Sequence, residues 1–392
     1  MNHTILHKEV QDFISEHLNT DISKLILKGS PFKNLSIQDL VEQIEAKKKC
    51  EKKLPTWFST EQIYYPNKLN IEQTSSEITA NYKASLVSGQ SLIDTTGGFG
   101  VDTYHFAKQV KSVTHCEINE TLSQIATHNF QQLGAKNIKC TANNGIEYLK
   151  EYDQLYHWLY VDPSRRDDLK QKVFLISDCT PNLKKCNRLF LKYAKNVMVK
   201  TSPLLDISLT IKDLEFTKEI HVIAVNNEVK ELLFILERDY TLNPEIKTIN
   251  LQKNKEQRFN FHFENEAEAI SSFSLPLHFL YEPNSAILKA GGFKIISQKL
   301  GVLKIHQHSH LYTSKTLKEF PGRRFKIENV IPFNKNQFSK LKIAKANITT
   351  RNFPISVHDI RKKFNVKDGG SVYLFFTTNC NDEKIIIVTS RV

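Results

Sequence analysis

The stretch Ser91-Leu92-Ile93-Asp94-Thr95-Thr96-Gly97-Gly98-Phe99-Gly100-Val101-Asp102 constrains the fold more than any other part of this chain. A short apolar strand delivers a carboxylate into a glycine-rich turn that opens a helix. Glycines there let the backbone approach a ligand more closely than any side chain would permit. Glu117 follows Asp94 by 23 residues and falls at the end of the next expected strand. A carboxylate at that place accepts hydrogen bonds from both hydroxyls of a ribose.

The pattern around this loop alternates between helix and strand. Helices are expected over Ser75 to Val87, Thr103 to Gln109 and Asn119 to Leu133. Strands are expected over Ser112 to Glu117, Ile138 to Thr141, Trp158 to Asp162 and Asn196 to Lys200. His221 to Val225 and Glu231 to Leu236 read as an antiparallel pair joined by Asn226-Asn227. The result is an α/β chain with a parallel, doubly wound sheet, whose ligands bind at the carboxyl ends of the strands. Residues 1–66 form a helical segment, with apolar residues at helical spacing around Val10 and Leu40, Ser36 as an N-cap, and the charged stretch Glu45 to Lys53 with Pro55 as its end. Residues 240 to 275 fit helix and strand equally.

The residue types select among cofactors. A dinucleotide places its pyrophosphate on a helix N-terminus. Asp102 at that place suits the helix dipole but repels phosphate. S-adenosyl-L-methionine has no phosphate and carries a sulfonium and an amino group, so Asp94, Asp102 and Glu117 suit it better, with Gly97, Gly98 and Gly100 forming the cradle. A plain glycine turn with Asp102 as N-cap is the structural alternative. Asn144 is expected beside the adenine edge, or as an ordinary Asn-Gly turn. The fourth strand ends in Asp162-Pro163-Ser164-Arg165-Arg166, where Asp162 and the Pro163 carbonyl would orient a target atom. Arg165 and Arg166 would hold phosphate or stack on a base, unless they pair with Asp167 or Asp168.

Lys and Arg exceed Asp and Glu by 12 (54 against 42), and the sequence pI is about 9.2. Between Lys315 and Lys367 lie 14 basic residues against three acidic ones, so nearly the whole surplus is there. Cations interleave with aromatics in Phe320-Pro321-Gly322-Arg323-Arg324-Phe325-Lys326 and Arg361-Lys362-Lys363-Phe364, a composition suited to a phosphate backbone or to a solvated basic face. His306, His308 and His310 stand at strand spacing without an accompanying carboxylate or cysteine, so no metal is expected. The six cysteines are scattered, with Cys179 and Cys186 read as packed helix positions, and no membrane span or signal-peptide core is evident. A cytoplasmic protein with no membrane contact is expected.

Taken together, Glu72-Gln73-x-Ser75-Ser76-Glu77, the Asp94–Asp102 loop, Asp162-Pro163-Ser164-Arg165-Arg166, Thr201-Ser202-Pro203-Leu204-Leu205-Asp206, Tyr281-Glu282-Pro283-Asn284 and Asp368-Gly369-Gly370 resemble a bacterial family of class I S-adenosylmethionine-dependent methyltransferases with a C-terminal THUMP-like domain. The resemblance implies a Rossmann-like core over residues 67–275, a ferredoxin-like segment over 276–318 and a basic THUMP-like domain over 319–392, the last two small and α+β. It also implies an RNA partner, tRNA or rRNA, held by the basic domain. Ser164 and Arg165 stand where nucleic-acid amino-methyltransferases carry proline and an aromatic, and no cysteine is near enough for pyrimidine C5 chemistry. A methyltransferase for a protein or small molecule, and a non-catalytic RNA-binding protein with a relict cofactor fold, are the competing expectations.

Overall fold

The computed structural model describes residues 1–165, 176–253 and 255–392. The chain divides into two compact units, Met1–Lys218 with Leu233–Thr241, and Glu219–Leu232 with Leu242–Val392.

In the first unit, β1 (Ser91–Asp94), β2 (Ser112–Cys116), β3 (Ile138–Thr141), β4 (Tyr156–Val161) and β7 (Ala194–Thr201) form a parallel sheet in the order β7-β4-β1-β2-β3. β5 (Ser164–Arg165) and β6 (Cys179–Thr180) make a separate antiparallel bridge. Cys179 therefore belongs to a strand, not a helix, whereas Cys186 does sit on a helix. β1 is buried at every position, as a strand covered by helices on both faces must be. The chain leaves β1 for β2 on one side and returns to β4 on the other. That reversal opens a crevice at the carboxyl ends of β1 and β4.

The helices of this unit run α1 (Lys8–Glu16), α2 (Ile22–Lys28), α3 (Ile37–Lys53), α4 (Pro55–Ser59), α5 (Lys68–Gln73), α6 (Glu77–Ala84), α7 (Val101–Phe106), α8 (Glu120–Gln132), α9 (Gly145–Tyr152), α10 (Leu183–Tyr193) and α11 (Ile207–Asp213). Ser36 and Asp39 close a reciprocal capping box on α3. The charged stretch lies within α3, which runs through Lys53, and Pro55 opens α4 at a position where its missing N–H costs nothing. Cys50, Leu54 and Trp57 pack with Phe99, Val101 and Phe130, so the N-terminal helices share one core with the glycine loop and α7.

The second unit contains most of β8 (Thr217–Val225), the first half of β9 (Glu228–Glu237), β10 (Glu245–Gln252) and β11 (Lys255–His262). β10 pairs parallel with β8 and antiparallel with β11. Asn226 and Asn227, between β8 and β9, have φ of 50° and 66°, the left-handed pair that a tight hairpin turn demands. A seven-stranded sheet follows, in the order β13 (Leu303–Lys304), β14 (Tyr312–Ser314), β12 (Phe279–Pro283), β15 (Gly322–Pro332), β18 (Lys384–Arg391), β17 (Lys367–Thr378) and β16 (Lys345–Arg351). Phe375 joins a cluster with Leu280 and Phe325, and its neighbour Phe376 joins another with Phe338 and Phe364. Alternation along β17 thus feeds a core on each face. His306 to His310 form a turn rather than the expected strand face, with the His308 N–H donating to His306 Nδ1 at 3.0 Å. No helix among the described residues is long and apolar enough to cross a membrane.

Candidate active site

Asp94 ends β1 with 1% of its surface exposed. Its Oδ1 accepts the Thr96 N–H at 3.0 Å and its Oδ2 accepts the Thr103 hydroxyl at 2.6 Å. Thr103 Oγ1 also lies 3.0 Å from His115 Nδ1. A hydroxyl has one proton and two lone pairs, so this chain of three can run in either direction. An ionised Asp94 takes the Thr103 proton while His115 donates from Nδ1; a protonated Asp94 donates to Thr103, which then donates to His115. Burial, with Asp102 and Asp162 nearby, pushes the Asp94 carboxyl up to about 7, against the pull of its two hydrogen bonds. Burial also pushes His115 down to about 4, so its imidazole is neutral.

The loop has little freedom to be anything else. Gly97 donates its N–H to the Cys116 carbonyl at 2.8 Å, and a Cβ built on it would stand 2.2 Å from the His115 ring. Gly100 has φ +83°, and its Cβ would meet Phe130 at 2.3 Å. The Gly98 N–H donates to Glu117 Oε2 at 2.8 Å, and Glu117 Oε1 accepts the Asn119 N–H at 2.7 Å. Glu117 is therefore held against the loop at the end of β2.

Asp102 lines the same cavity as Asp94 and is also tied into the fold. It is paired at 3.1 Å with Lys83, a fully buried lysine of α6, and accepts hydrogen bonds from Ser75 Oγ and Tyr160 Oη, both at 2.8 Å. Burial opposes its charge, yet Lys83, then Lys200, Ser75 and Tyr160 hold its carboxyl below the usual range. Lys83 went unread in the sequence, because nothing in a helical stretch says which lysine will point inward.

Asp162 lies just beyond β4, and its N–H donates to Thr96 Oγ1 at 2.7 Å. Its Oδ2 is paired with Lys200, a largely buried side chain near the end of β7 that sequence reasoning also missed. Pro163 and Ser164 continue from it, and Arg165 pairs through β5 with Cys179. The Arg165 side chain, Arg166, Asp167 and Asp168 lie outside the described residues. Asn144 is the N-cap of α9, its Oδ1 accepting from Ile146 and Glu147.

Two cavities meet at Thr96 and Asp162. The smaller, about 130 Å³, is bounded by Asp94, Gly97, Gly98 and Asp102, and on its far side by Asn70, Gln73 and Ser75. The larger, about 320 Å³, is bounded by Glu117, Ile118, Asn144, Ile146, Ser164 and Pro181. Ile118 is 72% exposed, an apolar wall beside a carboxylate. The two together suit an elongated ligand with a polar, cationic end and a flat apolar end joined through a sugar. Asp94, Asp102 and Asp162 face Lys83 and Lys200, so one negative charge is left over when all are ionised. Among the described residues no group of His, Cys, Asp and Glu is arranged to hold a metal.

Residues 279–321 match a family model described as a ferredoxin-like domain, and residues 322–391 match one described as THUMP domain-like. Among solved structures, a protein of Porphyromonas gingivalis W83 described as a putative methyltransferase is similar over 100% of this chain and 99% of its own, at 29% identity and a TM-score of 0.90. An rRNA methylase from Streptococcus thermophilus is similar over 41% of this chain and 93% of its own, at 13% identity and a TM-score of 0.30. No curated protein matches the sequence. The parallel sheet of the first unit is that of a Rossmann-like methyltransferase, and the chain carries ferredoxin-like and THUMP-like domains at its C-terminal end.

Proposed function

We propose that this chain is an S-adenosylmethionine-dependent methyltransferase acting on structured RNA, tRNA or rRNA. The observation that carries the reading is the convergence of Asp94, Glu117 and Asp162 at the carboxyl ends of three neighbouring strands, around a loop whose Gly97 admits no side chain. The likeness to the Porphyromonas gingivalis protein supports the transferase part, and the THUMP-like match with the basic stretch supports the RNA part. When bound, the cofactor supplies an electrophilic methyl on a positively charged sulfur.

This chain's residues fit such a group. Glu117 would accept the ribose hydroxyls, Ile118 and Ile146 would flank the adenine, and the loop N–H groups and Asp94 would line the amino-acid end. Asp102 contributes by holding Lys83, Ser75 and Tyr160 in register beneath that end. Lys200 occupies one oxygen of Asp162, which leaves Oδ1 to accept a hydrogen bond from the target and fix its approach. Asp162→Ala is expected to lower methyl transfer from labelled cofactor to total RNA by roughly 100-fold, because in-line transfer depends on placement. Label in protein but not in RNA would overturn the RNA acceptor. Cofactor binding without any transfer would overturn the enzyme reading.

The Asp94 carboxyl at about 7 gives this binding a pH dependence. A cation prefers the ionised form, so affinity for S-adenosylmethionine is expected to rise as pH passes upward through 7, by up to about tenfold between pH 6 and 8. Calorimetry across that range checks it, with the demethylated product, which lacks the sulfonium, expected to show a smaller trend. Asp94→Asn should flatten the curve.

A further inference from the structure

In the second unit, two sequence motifs that the cofactor site does not use meet on one buried carboxylate. Glu282, from Tyr281-Glu282-Pro283-Asn284 on β12, has a side chain only 4% exposed. On β15, directly opposite, Arg323 donates Nε to Glu282 Oε2 at 2.6 Å and pairs through Nη2 with the same carboxylate. On β16, Arg351 pairs with Oε1 at 2.7 Å. β12 and β16 are separated in the sheet by β15, β18 and β17, about 19 Å along a flat sheet at ordinary strand spacing. The sheet must curve to bring them together, so the cluster sits where β12 and the edge strand β16 approach.

One carboxylate is satisfied by one guanidinium. A second leaves a surplus positive charge, with no further carboxylate paired to either arginine among the described residues. Both arginines also keep donors unused: neither Arg323 Nη1 nor Arg351 Nε has a partner among the described residues, and the side chains are 37% and 38% exposed. Thr349 accepts from Arg323 Nη2 at 3.2 Å, the Thr350 carbonyl accepts from Arg351 Nη1 at 3.0 Å, and Phe325 and Phe375 lie under Arg323. The two forks are therefore oriented before any ligand arrives. Arg351 also acts on His310, which burial first, then Lys304, His308 and Arg351, push down to about 4. At the other end of β16, the exposed Lys345 stands opposite the exposed Lys367 of β17 in the register, two further cations on this strand pair.

We propose that Arg323 and Arg351, bridged by Glu282, form a clamp for a backbone phosphate of the RNA, and that Lys345 and Lys367 continue the track along β16 and β17. This inference rests on the RNA reading above.

The test is anisotropy of a fluorescein-labelled RNA hairpin with the full chain across a potassium chloride series. Arg323→Gln with Arg351→Gln is expected to reduce the slope of log affinity against log salt by about 1, the share of the single phosphate the clamp holds, and Arg351→Gln by part of that, with roughly tenfold weaker binding for the double variant. Glu282→Gln removes the internal counter-charge and is expected to bind RNA at least as tightly as the native chain. Opposite signs for the glutamate and arginine variants support the clamp. If all three weaken binding together, or if folded arginine variants keep the native slope, the cluster is only a structural staple. If the unaltered chain binds no RNA while still binding S-adenosylmethionine, the RNA reading and the clamp both fail and the cofactor site stands.

Discussion

Lys83→Met is expected to destabilise the first unit by about 3–5 kcal/mol, the usual cost of leaving a buried charge without its partner. Lys83 is fully buried, and Asp102 has no second cation at hydrogen-bond distance among the described residues. Methionine matches the lysine stem in length, so the loss is one of charge rather than of packing. The double variant Lys83→Met with Asp102→Asn should recover most of the stability, because removing both members of a buried pair is close to neutral. Denaturation followed by tryptophan fluorescence reads this unit alone, since both tryptophans, Trp57 and Trp158, belong to it. An equal loss in the single and double variants would show that Lys83 acts through packing.

Gly97→Ala is expected to weaken cofactor binding by roughly 100-fold, the scale associated with a misplacement of about 1 Å. The new methyl would overlap the His115 ring, which is itself wedged between Thr103 and Phe130 and cannot retreat. The loop must lift instead, taking the Gly98 N–H away from Glu117. Overpacking adds about 1–3 kcal/mol of lost stability. Gly134→Ala is the comparison. Gly134 has positive φ, at +71°, and open space around it, so it should lose about 1 kcal/mol of stability and bind the cofactor normally. Equal binding by the two variants would mean that the loop position is not what the ligand reads.

Much of the site was legible because strand-end carboxylates are a local property. The apolar run Ser91–Ile93 ends at Asp94 by its own pattern, and the same holds for Glu117 and Asp162. Their partners were not legible. Which lysine meets Asp102 depends on how α6 packs against α7, and which meets Asp162 depends on the neighbouring register of β4 and β7. The internal counter-charge of Asp102 is therefore not announced by its place at the start of α7. The hairpin β10–β11 was hidden for another reason. β10 lies between two strands and buries Thr248 and Asn250 alongside Ile246 and Ile249, which erases the apolar alternation that marks a strand. At His306, His308 and His310 the alternation was present but accidental, because a local backbone bond to His306 Nδ1 folds the segment into a turn.

The central claim is that the crevice of Asp94, Gly97 and Glu117 holds S-adenosylmethionine. Calorimetric titration of that cofactor into the full chain tests it most directly, with Glu117→Ala, Gly97→Ala and a parallel titration of NAD. One site per chain is expected, strongly weakened in both variants, with no heat from NAD. Binding that survives both substitutions, or a site that takes NAD in place of S-adenosylmethionine, would contradict it.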